Sequence, residues 1–463
     1  MTTSYTPSRT RVTADLRLAW LLTRGSDRRE WWRALLTGVG AALATGLGLV
    51  IAVLLPMQGR YHLNDTFDLL EEPGTRAGVI VALMLLVLPV LGFLGQCARV
   101  GAVHRDRRLA GLRLAGATPG QVRRIAALES GLACLAGSAV ATVFSVLTLL
   151  RLWSHPGPPA WAGIAVVAVL VPVLGAGVSA FALRHVVASP LGWIRRVRPA
   201  RGPGRLFRLA TGLLVLLALY IATTPVFGNP VGFALGPFTI FAMCLLAGAV
   251  AVWLTGASSR QLGEGLAARA GRPEVLIAAE RLRADPWAAA RTHAAVLLVT
   301  VVGSGFMGVR QVLLTDLHTM DQQYYAEGIG FYERGLDLTG AAVLIGLGLV
   351  LTALAVGTAE SLATRRRGLA AQAAAGVPYR VLGRAMLLET ALPLLPALAV
   401  AGLGGMTIGI WYASIATENG SAQTLPWTAL LVPVVVYAAC LLAAATSLPL
   451  LRRSLRPAEL RYV

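Results

Sequence analysis

Ten stretches of this chain are long and apolar enough that only a lipid bilayer could be their solvent. They lie near 34–57, 77–100, 126–150, 161–183, 208–225, 234–256, 293–314, 338–360, 385–412 and 427–450. Most reach the roughly 20 residues that a helix needs to cross a hydrocarbon core of about 30 Å. Lipid offers no hydrogen bonds to a backbone, so such runs must close their own as helices. The expected fold is therefore an all-α integral membrane protein with ten transmembrane helices. Composition agrees: 56% of residues are hydrophobic and 14% charged, against about a quarter charged in a soluble domain. The mean hydropathy is +0.68. The first run follows 33 mainly polar residues and exceeds the h-region of a leader, so it reads as a retained span.

Arginine sets the expected orientation. All 41 basic residues are Arg, a bias that fits a GC-rich bacterial genome. With ten spans both termini share one side. On that side the N-terminal segment, the loops near 99–125, 184–208, 257–292 and 361–384, and the tail hold 36 arginines. The other side holds five, Arg60, Arg76, Arg151, Arg310 and Arg334, together with ten acids. The positive-inside rule then puts both termini in the cytoplasm of a bacterial plasma membrane. The net charge of +19 reads as topology and anionic lipid contact. Nucleic-acid binding would want a groove with interleaved aromatics, and these arginines are spread over six short segments.

Several chemistries are excluded or unsupported. A chain without Lys has no P-loop lysine, Schiff base or Ser-Lys dyad. Cys97, Cys134, Cys244 and Cys440 all fall inside apolar runs, at spacings of neither a metal site nor a disulfide framework. They read as small hydrophobes between packed helices. The six histidines form no paired motif. No catalytic, cofactor or metal constellation stands out. A membrane-embedded transferase or protease is thereby disfavoured.

An internal repeat has a spacing of 260 residues. Residues 107–131 read RRLAGLRLAGATPGQVRRIAALESG, and 367–391 read RGLAAQAAAGVPYRVLGRAMLLETA. Arg107, Leu109, Ala110, Ala115, Gly116, Arg124, Leu128 and Glu129 recur as Arg367, Leu369, Ala370, Ala375, Gly376, Arg384, Leu388 and Glu389. Each copy links the second and third spans of a four-span unit. The units begin six spans apart, so they enter the membrane in the same sense and are parallel repeats. The layout divides the chain into a cytoplasmic N-terminal segment with an amphipathic interfacial helix (1–33) and a first four-span repeat (34–183). A cytoplasmic link with central spans five and six (184–256) and an amphipathic cytoplasmic linker (257–292) follow. The second four-span repeat (293–450) and a cytoplasmic tail (451–463) complete it.

Within each copy a short, sparsely charged helix (Leu109–Leu114; Leu369–Ala374) runs to a glycine. Gly116 and Gly376 permit the positive φ that stops a helix. Thr118–Pro119 and Pro378 then start the next one. Such an apolar stretch, joined rigidly to two spans at the membrane face, wants a partner. The plainer alternative is a re-entry turn whose arginines serve topology alone. Glu129 and Glu389 follow Arg124 and Arg384 at i+5, and interfacial pairing of each acid with a neighbouring Arg is expected. Gly38, Ala42 and Gly46 make a small-residue stripe on the first span, and Gly405 and Gly409 a GxxxG on the ninth; both read as close helix packing.

At these residues the chain resembles the FtsX-like permease family, the membrane subunits of MacB-type (mechanotransmission) ABC transporters. The pattern across Arg108–Glu129 is similar to the family's signature between second and third spans. The second copy departs from it, with Gln372–Ala373 for Leu112–Arg113 and Val377–Pro378 for Ala117–Thr118. A Pro followed by a basic tail ends both halves, at Pro190–Arg195 and Pro457–Arg461, again as in the family. The resemblance implies a non-catalytic permease working with two copies of a separate ABC ATPase. ATP and Mg²⁺ would sit in that partner. It also implies that the ATPase docks on coupling helices, here Leu109, Leu112, Arg113, Leu114, Gly116, Thr118 and Pro119, and Leu369, Gln372, Ala374, Gly376 and Pro378. The external loops are short, the two longest spanning roughly 58–76 and 315–337. Span interiors hold almost no ionisable residue, which argues against ion-coupled transport. Apolar handling suits a hydrophobic or amphipathic compound or peptide, conceivably an antibiotic, exported or drawn from the membrane. The alternative is a non-transporting signalling complex that regulates a kinase or cell-wall enzyme.

Overall fold

The computed structural model describes residues 28–57, 73–97, 111, 112, 114–152, 156–182, 209, 212, 230–319, 329–418 and 425–454. Every regular element among them is helical, as segments that must satisfy their own backbone in lipid require. In chain order these are α1 (Arg28–Leu54), α2 (Pro73–Cys97), α3 (Pro119–Leu152), α4 (Pro158–Ala182), α5 (Pro230–Arg269) and α6 (Pro273–Ala284). Then come α7 (Pro286–Thr319), α8 (Ile329–Thr364), α9 (Arg366–Ala374) and α10 (Tyr379–Glu418). A 3₁₀ turn at Trp427–Leu430 leads into α11 (Leu431–Ala445), and α12 (Leu448–Ser454) is last. Six of these twelve begin on Pro, which presets φ where the backbone donor has no helical partner.

Eight helices are long and apolar enough to cross a membrane. The second expected span is shorter, its apolar part being Gly78–Leu94. The fifth, near 208–225, lies outside the described residues except for Leu209 and Gly212. The chain is thus a multi-pass, all-α membrane protein.

The helices sort into two compact units, the division crossing α2 between Gly92 and Phe93. The first unit holds α1, α3 and α4, with α1 packed chiefly on α3 and both on α4. Gly38 and Gly137 bring α1 and α3 together so closely that a Cβ on Gly137 would collide with the Gly38 carbonyl. Gly46 meets nothing within 4 Å, so the small-residue stripe on α1 closes only at its first part. Ser138 Oγ donates to the Ala168 carbonyl (3.1 Å), tying α3 to α4. Val140, Phe144, Val166 and Val173 stay exposed on this unit, as apolar side chains facing lipid do.

The second unit is built on α5, α7 and α10, with α8 and α11 around them. Val296, Leu297 and Val301 of α7 pack with Leu394, Leu398 and Ile408 of α10, Cys244 of α5 and Cys440 of α11. All four cysteines are free and buried. Here too small residues set the closest approach: a Cβ on Gly405 would fall 2.6 Å from the Val301 carbonyl. At one end of α7, Gln311 Oε1 accepts from the Thr428 backbone N–H (3.0 Å) and hydroxyl (2.8 Å). Gln311 Nε2 donates to the Leu425 carbonyl (3.0 Å). Arg310 reaches Asp337 at 2.9 Å. The most extensive contact is alike in each unit, first span on third (α1–α3, α7–α10); beyond it the units differ, since α7 and α10 both pack next on α5, ahead of α11.

Candidate functional site: two elbows

Gly116 (φ 97°) and Gly376 (φ 90°) have a positive φ, which no other described residue shares. Around each the same turn closes. Ala117 N–H donates to the Leu112 carbonyl (3.0 Å), and Val377 N–H to the Gln372 carbonyl (3.1 Å). Gly376 N–H also donates to the Ala373 carbonyl (3.0 Å). This six-to-one bond across a left-handed glycine is the Schellman stop, which satisfies carbonyls that the helix end would leave open. Each elbow passes after two residues into a long helix. α3 has 34 residues and α10 has 40, about 51 and 60 Å at 1.5 Å per residue. Both exceed the bilayer core, so each elbow is continuous with a helix that spans and projects.

The first elbow is fastened locally. Thr118 and Gln121 form a reciprocal capping box: Gln121 Oε1 accepts from the Thr118 N–H (3.0 Å), and Thr118 Oγ1 accepts from the Gln121 N–H (3.3 Å). Leu112 and Ala117 pack on buried Val122 and Ala126. Leu114 is 76% exposed, and Ala115 and Gly116 are exposed beside it. Leu109 and Arg113 lie outside the described residues, as does the side chain of Pro119.

The second elbow is fastened from a distance. Leu369 is only 3% exposed, within a core of Leu362, Leu382 and Leu451, flanked by Ile277, Val377, Tyr379 and Met386. Leu369, expected among the docking residues, has its side chain inside this core, where it holds the elbow from within. Tyr379 donates its hydroxyl to the Leu448 carbonyl (2.9 Å), so α12 packs on the start of α10. Ala371, Ala374, Ala375 and Gly376 form the exposed edge, with Gln372 half-buried beside them and Pro378 exposed after the turn.

Glu389 supplies the charge centre. Its carboxylate accepts from Arg281 of α6 (3.1 Å) and from Arg365 at the α8–α9 break (2.8 Å). Hence α6, α10 and the elbow share one knot. Arg384 approaches Glu274 of α6 at 3.8 Å, a long pair in which Arg384 is exposed and Glu274 mostly buried. α6 itself carries Glu274 in its first turn and Arg281 and Arg283 in its last, complementing the helix dipole. Its buried face is Ala278, Ala279 and Leu282. In the first elbow Glu129 is buried and Arg124 exposed. Sequence reasoning named Glu389 but not Arg281 or Arg365. It also passed over the Thr-x-x-Gln pattern at 118–121, a visible capping signal.

Eight membrane-capable helices and two like-built elbows at a 260-residue spacing define a polytopic membrane protein with paired surface turns. Residues 78–191, a segment that contains the first elbow, match the model of the FtsX-like permease C-terminal family. That family comprises membrane permease subunits of ABC-type systems, generally not catalytic themselves and generally working with an ATPase partner. No curated protein and no solved structure matches the chain.

Proposed function

We propose that this chain is a permease on which two copies of a separate ABC ATPase dock, one at each elbow, and that it exports or laterally extracts a hydrophobic or amphipathic compound. The observation that carries the reading is the paired turn: two Schellman stops, 260 residues apart, each running into a helix longer than the membrane is thick. A rigid stop transmits displacement where a flexible loop would absorb it. ATPase closure would bind ATP and Mg²⁺ in the partner and move both elbows. α3 and α10 would carry that movement to the opposite face, and both termini would lie on the ATPase side. Glycine-mediated contacts at α1–α3 and α7–α10 keep each lever against its neighbour. Span interiors nearly free of charge and exposed valine, leucine and phenylalanine along α3 and α4 support that cargo class.

The test is co-expression with a candidate ATPase, purification, and ATPase assays across lipophilic compounds. Leu114→Asp is the decisive variant, because that side chain is exposed and its loss leaves the elbow core intact. It should reduce ATPase capture by about tenfold or more, the effect of burying an unpaired charge in an apolar contact, with thermal stability unchanged. Unaltered capture would sink the docking assignment. ATPase stimulation without any change in compound accumulation would instead favour signalling.

A further inference from the structure

Beside the second elbow lies a cavity of about 160 Å³, walled by α6, α7, α8, α9, α10 and α12. Leu362, Leu382 and Leu451 supply apolar lining, while Arg281, Arg365, Glu389 and His293 supply the polar part. It sits at the arginine-rich end of the spans, where a membrane presents headgroups.

Two observations define what it would hold. His293 is 4% exposed, and its Nδ1 lies 2.8 Å from the Ala289 carbonyl. A carbonyl only accepts, so Nδ1 carries the proton and, in the neutral ring, Nε2 presents a lone pair. Nε2 is buried without a partner. A buried acceptor left unmade is costly, so it calls for a donor from an occupant. Second, Arg281 and Arg365 share the one carboxylate of Glu389. Asp285, also on the wall, is engaged by Arg291. The knot therefore has one positive charge more than its acid balances, and guanidinium N–H groups remain for a second oxyanion. Among the described residues no three His, Cys, Asp or Glu side chains are grouped as metal ligands, so the acceptors do not read as a cation site.

We infer that this cavity binds the headgroup of a phospholipid whose phosphodiester is bridged to a hydrogen-bond donor, as in phosphatidylethanolamine or phosphatidylglycerol. The phosphate oxygen meets Arg281 and Arg365, and the ammonium or hydroxyl of the head meets His293 Nε2. Phosphatidylcholine has the phosphate and no donor. The site ties α6 and α7 to the elbow when filled, so lipid occupancy stiffens the second elbow.

The full chain is purified in detergent and melted with added short-chain phosphatidylethanolamine, phosphatidylglycerol, phosphatidylcholine or inorganic phosphate, and native mass spectrometry counts bound lipid. Ethanolamine or glycerol lipid should be retained about tenfold over choline lipid, the worth of one hydrogen bond to a buried acceptor. A larger response to the first assigns the ammonium as donor, and to the second the hydroxyl. His293→Phe should erase the selectivity without changing the lipid-free melting temperature; His293→Gln, which keeps an acceptor, should preserve part of it. Arg281→Gln should weaken all three lipids together. Equal retention of choline lipid overturns the inference, as does selectivity surviving in His293→Phe. Stabilisation by inorganic phosphate equal to that by lipid also overturns it, because the site would then be a free-anion site. Should His293→Phe fail to fold, selectivity in the unaltered chain decides alone.

Discussion

The first and second elbows share a backbone and differ in nearly everything that holds it. Both stop a helix on a left-handed glycine and restart it two residues later. The first is closed by neighbours in sequence: Thr118 with Gln121, and Leu112 and Ala117 on Val122 and Ala126. The second lacks the box, since Pro378 stands where Thr118 would. It relies on Ile277 of α6, Leu362 of α8 and Leu451 of α12. Among the described residues, the first elbow is held by its own sequence neighbours and the second by several helices. A partner pressing on the first meets a preformed turn. A partner pressing on the second moves α6 and the C-terminal helix as well, so two identical ATPase subunits would meet unequal mechanical loads.

The sharpest way to break this contrast is to hollow the two cores. Leu382→Ala and Val122→Ala remove equivalent side chains, each about 1% exposed or less. At about 0.8 kcal/mol per buried CH₂, transfer alone costs about 2.4 and 1.6 kcal/mol, with a cavity penalty added. The distant packing around Leu382 cannot relax as a local turn can, so its penalty should be the larger. Thermal unfolding in detergent should show a clearly greater loss for Leu382→Ala. Equal losses would mean that the second elbow does not depend on α12 and α6.

Next in size is the charge knot. Glu389→Gln leaves Arg281 and Arg365 without their carboxylate, and should cost about 2 kcal/mol, between the values for exposed and buried pairs. A double-mutant cycle with Arg281→Gln should return a coupling of about 1 kcal/mol or more, since the two groups are in direct contact. Additive losses would mean that α6 is held to α10 by its apolar face alone.

These two cases mark what was legible in the chain. The apolar runs, the repeat and both glycine stops follow from local rules: run length, self-similarity and the one residue that tolerates positive φ. The capping box was equally local, and Thr118–Gln121 carried its signal. The partners of Glu389 were not legible. Arg281 and Arg365 lie 108 and 24 residues away, and a chain with 41 arginines offers no local reason to choose these two. The burial of Leu369 was hidden for the same reason, because its cover comes from α8, α10 and α12. His293 was one of six histidines that form no paired motif, and its buried, unpartnered second nitrogen shows only once the helices are packed.

A smaller difference should follow from the caps. Thr118→Ala removes the side-chain acceptor for Gln121 N–H and should cost about 1 kcal/mol. Pro378→Ala removes no cap and should cost less. Hydrogen exchange at the start of α3 and α10 would report the two separately, with Thr118→Ala loosening only α3. Equal loosening of both helix starts would show that the box contributes nothing to the first elbow.

The smallest expected difference between the elbows is none at all, and it tests the feature they share. Gly116→Ala and Gly376→Ala add a Cβ that meets nothing within 4 Å in either place. The cost is therefore backbone strain alone, about 1–2 kcal/mol for holding a non-glycine residue in the left-handed region. It should be the same in both elbows despite their different surroundings, because φ is 97° in one and 90° in the other. If Gly376→Ala proved much milder, the second turn would be relaxing to a negative φ with its distant packing carrying the fold. The two elbows would then be alike only in sequence, and a common docking geometry for two identical ATPase subunits would lose its physical basis.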